Sequence, residues 1–346
     1  MHDSSMTLAM VRTTRRRLLG AGAGLGIGAL ASQPLLAMSE GAPYGIAGDI
    51  PKSSRENQYA WAKAWSTLGD RVVYAGHKGI FYAVIEGREV PVAGYVGFGV
   101  SIAEFTADGE LRVRAKDATF YTDLDSGEIL NHWDNPWTGE TVPVVGYVND
   151  RADMRIGTEM PATSGFRSGR YGWELNFDFE SATAPRRQTA EPTPFQLPWF
   201  KVGNQLMMGA RFRLDFPNPV DPARWPKASS GPHVTTTEHF TFFVNADAVA
   251  DSDQLSAPFT AGFFRVTPWL PWMRMGQSGI DGYMFARSHS YKTDGSLGDV
   301  PRVVLEKLER DHPDMLAIDR PWGEGPWVST WSQFAEMVAP EVEPDT

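Results

Sequence analysis

Three clusters of polar and aromatic side chains carry the residue types from which a catalytic site could be built. The first covers residues 131–140 and contains His132, with Asp134 and Glu140 near it in sequence. A histidine changes charge near neutral pH, and a carboxylate that orients it makes it a general acid or base. The same composition also predicts a structured turn, in which Asn, Asp, Pro and Gly fix the backbone.

The second cluster covers residues 235–240 and contains the neighbours Glu238 and His239. In a strand, neighbouring side chains point to opposite faces, so these two cannot act as one dyad. An inward carboxylate loses water, which raises its pKa and tunes it as a general base, whereas a solvent-facing glutamate is the alternative. The predicted catalytic residues are Glu238, His132 and His239.

The third cluster covers residues 265–276, where two tryptophans each follow a proline and methionines flank an arginine. Rigid aromatic rings beside flexible methionines suit the wall of a ligand pocket, although an ordinary core corner has the same composition. Arg265 or Arg274 could hold a carboxylate or phenolate. The predicted substrate-binding residues are Arg265, Trp269, Trp272, Met273, Trp137, Asn135 and Glu140.

Cofactor and metal motifs are absent from the sequence. No nucleophile elbow, phosphate-binding loop, dinucleotide fingerprint or His-Glu-x-x-His pair occurs, and no cofactor is predicted. The chain has no cysteine, which excludes disulfides, thiol catalysis and thiolate ligands. A metal site assembled from His132, Glu238 and His239 with water is the one metal hypothesis that the spacing leaves open.

Short runs of β-branched and aromatic residues separated by turn residues predict most of the elements that would position these clusters. Turns are indicated at points such as His77-Lys78-Gly79, and proline-rich excursions at residues 181–198 and 217–232. Helices are predicted at residues 56–68, 301–312 and 329–338. Strands are predicted at residues 72–74, 79–86, 95–105, 111–123, 142–148, 171–179, 206–216, 235–246, 260–267 and 282–288.

This order of elements predicts a mainly β protein, an antiparallel lipocalin- or calycin-like β-barrel with a few flanking helices. Such a barrel has room for one small ligand. The 12 Trp, 19 Phe and 10 Tyr residues would suit an apolar or aromatic one.

The first residues follow the order of a twin-arginine signal peptide. Thr14-Arg15-Arg16-Arg17 is followed by a Gly- and Ala-rich apolar run at residues 18–30 and a small-x-small cleavage site ending at Ala31. The apolar run is shorter than the roughly 20 residues that span a bilayer, so no stable membrane anchor is predicted. We therefore expect a leader over residues 1–31, the twin-arginine export machinery as a partner, a single domain over residues 32–346 and a periplasmic location.

The net charge of the chain is −10, which argues against nucleic acid or anionic lipid as a partner because both require a basic surface. A small apolar or aromatic ligand remains the expected partner. The oligomeric state is not predicted.

The clusters and the leader together resemble the bacterial and fungal proteins grouped as domain of unknown function 1838. The matching pieces are residues 135–140, Glu238, residues 269–276, and Ser329-Thr330-Trp331 before Phe334. An Asn-Glu-Thr-Ser-Trp pattern of the family is replaced here by residues 325–331. The resemblance implies a single exported domain and no particular activity.

These observations predict a periplasmic lyase, isomerase or hydrolase that performs cofactor-independent acid/base chemistry on a small aromatic or apolar molecule held in the barrel. Glu238 or His132 would move the proton, and Arg265 would bind an anionic end of the substrate. A non-catalytic binding protein for a hydrophobic ligand and a metal-dependent enzyme are the alternatives. The pocket would be shaped by Trp269, Trp272 and Trp137.

Overall fold

The computed structural model describes residues 48–160, 167–168, 173–174, 177–179, 193–293, 295–318 and 328–342. The predicted twin-arginine leader, most of the strand predicted at residues 171–179 and most of the excursion at residues 181–198 lie outside this part of the chain. No helix within the described ranges is long and apolar enough to cross a membrane.

Four helices and sixteen strands follow one another in the part of the chain that the structure describes. The helices are α1 (Ser54–Trp65), α2 (Ala246–Ala250), α3 (Arg302–Asp311) and α4 (Thr330–Met337). The strands are β1 (Val73–Ile85), β2 (Arg88–Phe105), β3 (Leu111–Thr122), β4 (His132–Asp134), β5 (Thr141–Pro143), β6 (Tyr147–Ile156), β7 (Glu159–Met160), β8 (Arg167–Ser168), β9 (Trp173–Glu174), β10 (Phe177–Phe179), β11 (Thr193–Pro194), β12 (Phe200–Val202), β13 (Gln205–Pro217), β14 (His233–Asn245), β15 (Phe259–Thr267) and β16 (Gly282–Lys292).

One ten-stranded antiparallel sheet contains all the long strands, in the order β10-β13-β14-β15-β16-β1-β2-β3-β6, with β12 paired to β13. Strands β1 and β16 pair along eleven residues and join the two halves of the chain. The predicted mainly β, antiparallel class with few helices is therefore confirmed. Among the described strands β6 and β10 remain the two edges of the sheet, so the predicted closed barrel is not confirmed.

Helix α1 closes one end of the concave face of the sheet. It begins at Ser54 because Ser53 caps it: Ser53 Oγ accepts a hydrogen bond from the Glu56 N–H at 3.2 Å, and Glu56 Oε2 accepts one from the Ser53 N–H at 2.8 Å. Its Trp61 packs edge-on against Phe242 with 5.5 Å between ring centroids. The core beneath the helix, the α1 core, includes Trp61, Leu111, Ile156, Met208 and Phe242.

The α1 core also shows that the sheet curls. Leu111 and Ile156 belong to β3 and β6, whereas Met208 and Phe242 belong to β13 and β14, at the other side of the strand order. Side chains from opposite sides of a sheet can share one core only if the sheet bends round to bring them together. The inner face therefore encloses a space.

The opposite end of that space is closed by the tryptophan core, which contains Tyr121, Phe216, Trp269, Trp272 and Trp331. Trp331 comes from α4, whose first turn is capped by Ser329, and Trp272 lies in a 3-10 turn over Pro271–Met273. On the convex face α3 covers a third core, the outer core, formed by Val96, Phe98, Phe120, Val304 and Leu308.

The turn predicted at His77-Lys78-Gly79 is wrong, because β1 continues through these residues. The glycines of this region provide space instead of a bend. A Cβ at Gly79 would lie 2.3 Å from the carbonyl oxygen of Arg287 on β16 and 2.7 Å from the Tyr95 ring, and one at Gly97 would lie 1.9 Å from the His77 ring. Close approach of the β16 backbone and of two bulky inner-face side chains thus explains these glycines.

Candidate functional site

A ring of polar side chains lies on the inner face of the sheet, between the α1 core and the tryptophan core. We call it the polar layer. It consists of Glu238 on β14, Arg265 on β15, Ser288 on β16, His77 on β1, Tyr95 on β2, Asp117 and Thr119 on β3, and Tyr147 and Asn149 on β6.

Strand register places these residues side by side. Side chains alternate between faces, and Glu238 pairs with Arg265 while Asp117 pairs with Asn149. His77 pairs with Gly97, whose lack of a side chain lets the imidazole cross β2. The imidazole Nε2 reaches Thr119 Oγ1 at 3.0 Å. One network therefore runs across three strands.

The centre of the polar layer is a loose ion pair. Arg265 Nε lies 3.4 Å from Glu238 Oε1 and also donates a hydrogen bond to Thr236 Oγ1 at 3.2 Å. The guanidinium carbon lies 5.6 Å from the centre of the Trp331 ring, within the range of a cation–π interaction. Burial raises the pKa of Glu238, and the positive charge of Arg265 opposes this effect. Glu238 therefore has the environment of a tuned acid or base.

Asp117 is a second carboxyl group with a perturbed pKa in the same layer. Burial raises its pKa to about 7, the negative charge of Glu238 acts in the same direction, and the hydrogen bond from Asn149 opposes it. That bond joins Asn149 Nδ2 to Asp117 Oδ1 at 3.1 Å. The effect of the Glu238 charge on the pKa of Asp117 places the two carboxyl groups within electrostatic reach of each other on the inner face.

Tyrosine hydroxyls and a neutral imidazole complete the layer. Burial raises the pKa of Tyr95, Tyr121 and Tyr147, so all three phenols keep their protons and can donate hydrogen bonds at neutral pH. Burial lowers the pKa of His77 to about 4, which keeps this imidazole uncharged. Arg265 is thus the cation opposed to the two carboxyl groups of the layer.

Several side chains of the polar layer are not fully buried. Glu238 and Arg265 keep 21% and 17% of their side-chain area accessible, and His77, Asp117 and Tyr147 are also half-buried. Inward residues on either side of the layer are buried: Phe242 is 1% exposed and Met284 0%. Partly accessible polar groups on a concave inner face are typical of the lining of a ligand site.

The structure does not bring the two predicted histidines to Glu238. His132 is exposed on β4 and pairs in register with Pro143 of β5, a two-stranded ribbon apart from the main sheet. His239 follows Glu238 on β14 and points to the opposite face, beside the exposed Phe264. Of the three predicted catalytic residues, Glu238 alone belongs to the polar layer.

The predicted ligand-binding residues of the first cluster hold neighbouring segments in place. Buried Asn135 donates from Nδ2 to the carbonyl oxygen of Met273 at 2.8 Å, and its Oδ1 accepts from the Trp137 N–H at 2.9 Å. Glu140 Oε1 lies 2.5 Å from Lys227 Nζ. Trp137 packs on Trp269 with ring centroids 5.5 Å apart. A role of Asn135, Glu140 and Trp137 in binding a ligand stays a prediction.

The ligand-binding residues of the third cluster lie at the boundary of the layer. Trp272 packs on Tyr121 with 4.9 Å between ring centroids, and Trp269, Trp272 and Met273 are all buried in the tryptophan core. Arg265 is within the layer itself. The tryptophans therefore form a floor, and their direct contact with a ligand stays a prediction.

Asp117 is the residue that sequence reasoning missed. On β3, Asp117 points to the same inner face as Leu111, Val113 and Tyr121, because side chains two residues apart share a face. The alternation argument used for Glu238 therefore applies to Asp117 as well. Its neighbour Lys116 points to the outer face of β3 and is buried there, where Lys116 Nζ donates to the carbonyl oxygen of Asp314 at 2.6 Å. Because both faces of β3 are covered, the sequence pattern does not show which face points inward.

Two surface clefts lie away from the polar layer. One, of about 280 Å³, lies beside Asn204, Phe243 and Thr260, and the other, of about 500 Å³, lies beside Pro226 and Asp281. Neither brings a cation and a carboxylate together, so we place the chemistry in the polar layer. No group of three or more His, Asp or Glu side chains in the described ranges is arranged to hold a metal ion.

Fold and site define a mainly β protein whose curled antiparallel sheet encloses two carboxyl groups and one arginine. The chain matches the family described as protein of unknown function (DUF1838) over residues 70–338, and it belongs to that family. The predicted family resemblance is thereby confirmed. No curated protein matches the chain.

Proposed function

We propose that the protein is an enzyme that performs cofactor-independent acid/base chemistry on a small aromatic or apolar molecule inside the curled sheet, as a lyase, isomerase or hydrolase. One observation carries the proposal. Asp117 and Glu238 lie on the inner face of the same curled sheet, within electrostatic reach of each other, and burial raises the pKa of both. Two carboxyl groups tuned in this way are the usual components of a proton-transfer site.

The two carboxyl groups would have complementary roles. With a pKa of about 7, Asp117 is present in both protonation states at neutral pH, which suits a general acid or base. Glu238, held ionised by Arg265, would accept a proton from the substrate or from water, and protonated Asp117 would deliver one to the leaving group or to a second carbon. Glu238 would then be protonated and Asp117 ionised, and transfer of one proton to water from Glu238 and one from water to Asp117 would restore the starting state.

The phenols would stabilise charge that develops on substrate oxygen. Tyr95 and Tyr147 lie close enough to the ion pair for the charges of Arg265 and Glu238 to influence their pKa. Fixed donors in a water-poor site stabilise an oxyanion better than water does. The tryptophan core would supply the apolar wall against which the substrate packs.

A lipocalin- or calycin-like container and export to the periplasm are part of the same proposal. The α1 core joins side chains of β3 and β6 to those of β13 and β14, as a ring of strands would. Arg15 and Arg16 would direct the folded protein to the twin-arginine machinery. Changing both to lysine should leave the protein in the cytoplasm, and normal export of that variant would refute the assignment.

The test of the enzyme assignment uses three probes, one for each reaction type. They are phenylpyruvate, whose enolisation is followed by deuterium exchange, cinnamate for addition of water to a double bond, and 4-nitrophenyl acetate for hydrolysis. We expect turnover of at least one probe and a loss of about 100-fold or more in Asp117→Asn and Glu238→Gln, the range for a positioned acid or base.

Exposed carboxyl groups provide matched controls. Asp253→Asn and Glu128→Gln make the same chemical changes at exposed positions and should keep wild-type rates. His132→Gln tests the remaining sequence prediction, and we expect little effect because His132 is exposed. Folded Asp117 and Glu238 variants with wild-type rates would overturn the assignment.

A non-catalytic binding protein is the second candidate, since the hollow and its aromatic floor would also suit a carrier. The same probes separate the two functions. Binding of all three probes without turnover would favour the carrier and remove the enzyme.

A further inference from the structure

The guanidinium of Arg265 has unused hydrogen-bonding capacity. Its hydrogen bond to Thr236 Oγ1 and its shortest contact with Glu238 Oε1 are both made by Nε. The two terminal nitrogens donate no hydrogen bond within the described part of the chain. A planar pair of N–H groups is the geometry that binds a carboxylate through two parallel hydrogen bonds.

The guanidinium lies toward the tryptophan end of the layer. Thr236 precedes Glu238 by two residues on the same face of β14, and Trp331 belongs to α4, so contacts with both place the guanidinium on that side. Because β14 and β15 are antiparallel, Thr267 lies on the same side, two residues beyond Arg265 on the inner face of β15.

Several buried donors on this side have no hydrogen-bond partner within the described part of the chain, among them Trp269 Nε1 and Trp272 Nε1. Nearest to Arg265 are Trp331 Nε1 and Thr267 Oγ1, whose residues are 1% and 2% exposed and which also have no partner within those residues. A buried donor without an acceptor costs about 1–3 kcal/mol, so such groups in a native site point to a bound acceptor. Both donors suit an oxygen-rich ligand group.

We propose that the terminal nitrogens of Arg265, Trp331 Nε1 and Thr267 Oγ1 form a receptor for the carboxylate of an aromatic or apolar monocarboxylic acid. This inference rests on the proposed function, because it names the substrate class of the same site. The floor formed by Tyr121 and Trp272 would accept the apolar part of the acid.

The charges of the layer favour a monoanion. One arginine faces two carboxyl groups, so a dianion such as phosphate would be repelled, and even a monoanion requires that a carboxyl group be protonated. Binding should therefore take up a proton at neutral pH.

The titratable groups that face the ion pair are His77, Tyr95, Asp117, Tyr121 and Tyr147. Lys292 of β16 also points inward, but its Nζ donates hydrogen bonds to the carbonyl oxygens of Lys63 and Ser66.

The test compares binding of 2-naphthoate and benzoate with binding of the corresponding uncharged carboxamides by calorimetry. We expect wild-type protein to bind each acid at least about tenfold more tightly than its amide, since hydrogen bonds to charged groups are the strong ones. At pH 7, measurement in phosphate and in Tris should show uptake of up to about one proton per acid bound. Equal affinity for acid and amide, or no binding of either acid, would overturn the proposal.

Variants assign the receptor. Arg265→Gln should remove the preference for the acid, while Trp331→Phe and Thr267→Val should each weaken acid binding about fivefold and leave amide binding unchanged. Thr267→Val keeps the shape of the side chain, so it remains informative if Trp331→Phe does not fold, as judged by near-ultraviolet circular dichroism. The control Arg287→Gln removes an exposed arginine from the outer face of β16. Wild-type acid binding by folded Arg265→Gln would contradict the assignment.

Failure of the receptor and failure of the enzyme assignment give different results. Acid preference without turnover of any probe would refute the enzyme and keep the receptor. Turnover that depends on Asp117 and Glu238, combined with equal binding of acid and amide, would refute the receptor and keep the enzyme.

Discussion

Replacing Asp117 by asparagine measures how much free energy of unfolding the protein loses when a carboxyl group in the polar layer ionises. Burial raises the pKa of Asp117 from an ordinary 3.8 to about 7, so the native state binds a proton that the unfolded chain has lost. Between pH 4 and 7 the native state therefore loses stability as pH rises. A change in pKa of this size corresponds to about 4 kcal/mol at 25 °C.

The asparagine variant should not lose stability in this way as pH rises, because asparagine does not titrate. Its side-chain carbonyl oxygen can still accept the hydrogen bond that Asn149 donates to Asp117 Oδ1 at 3.1 Å. We expect Asp117→Asn and wild type to have similar free energies of unfolding at pH 4, and the variant to be more stable by a few kcal/mol at pH 8.

Urea unfolding at both pH values provides the measurement. The difference between variant and wild type cancels the titration of other groups, including His77. Asp253→Asn, at an exposed position, should show no such pH-dependent difference. A variant that is less stable than wild type at both pH values, or a difference that does not change with pH, would refute the assignment of Asp117 as a buried, proton-binding carboxyl group.

Three further predictions concern the support of the site. Gly97→Ala should destabilise the protein by about 1–3 kcal/mol in thermal unfolding, because the new Cβ would lie 1.9 Å from the His77 ring. Gly262→Ala, which has open space at its Cβ, should be tolerated. Equal effects of the two substitutions would contradict the position of the His77 ring across β2. Asn135→Ala should cost about 2 kcal/mol or more through the lost bonds to Met273 and Trp137, and Asn131→Ala at an exposed position should not. Because burial lowers the pKa of His77 to about 4, the contribution of His77 to stability is complete above pH 6.5 and is lost as pH falls toward 4. The free energy of unfolding of wild type should therefore fall by about 3 kcal/mol over this range relative to that of His77→Gln. Parallel curves of unfolding free energy against pH for the two proteins would exclude the buried neutral imidazole.

The elements themselves were largely predictable because local patterns determine them. The capping box at Ser53 and Glu56 and the serine at Ser329 identify α1 and α4, and β13 to β16 follow from runs of β-branched and aromatic residues. The error at His77-Lys78-Gly79 has a tertiary cause. A glycine that makes room for Tyr95 looks the same in sequence as a glycine that makes a turn.

The site was predictable only in part, because it depends on register between distant strands. Alternation showed that Glu238 and His239 point to opposite faces but left open which of them points inward, and the proximity of Arg265 follows from the β14–β15 pairing. Asp117 reaches the same hollow only because the sheet curls and β1 pairs with β16, over 200 positions away. His132 has residue types typical of a catalytic cluster beside it in sequence, yet it lies exposed on β4. That exposure depends on tertiary packing, which a local sequence pattern does not show.

A crystal structure of the protein with 2-naphthoate would locate the ligand relative to Asp117, Glu238 and Arg265. We expect electron density inside the curled sheet, with the carboxylate on the terminal nitrogens of Arg265 and within hydrogen-bonding distance of Trp331 Nε1. Density confined to the surface cleft beside Pro226 and Asp281, with the polar layer holding only water, would contradict this expectation.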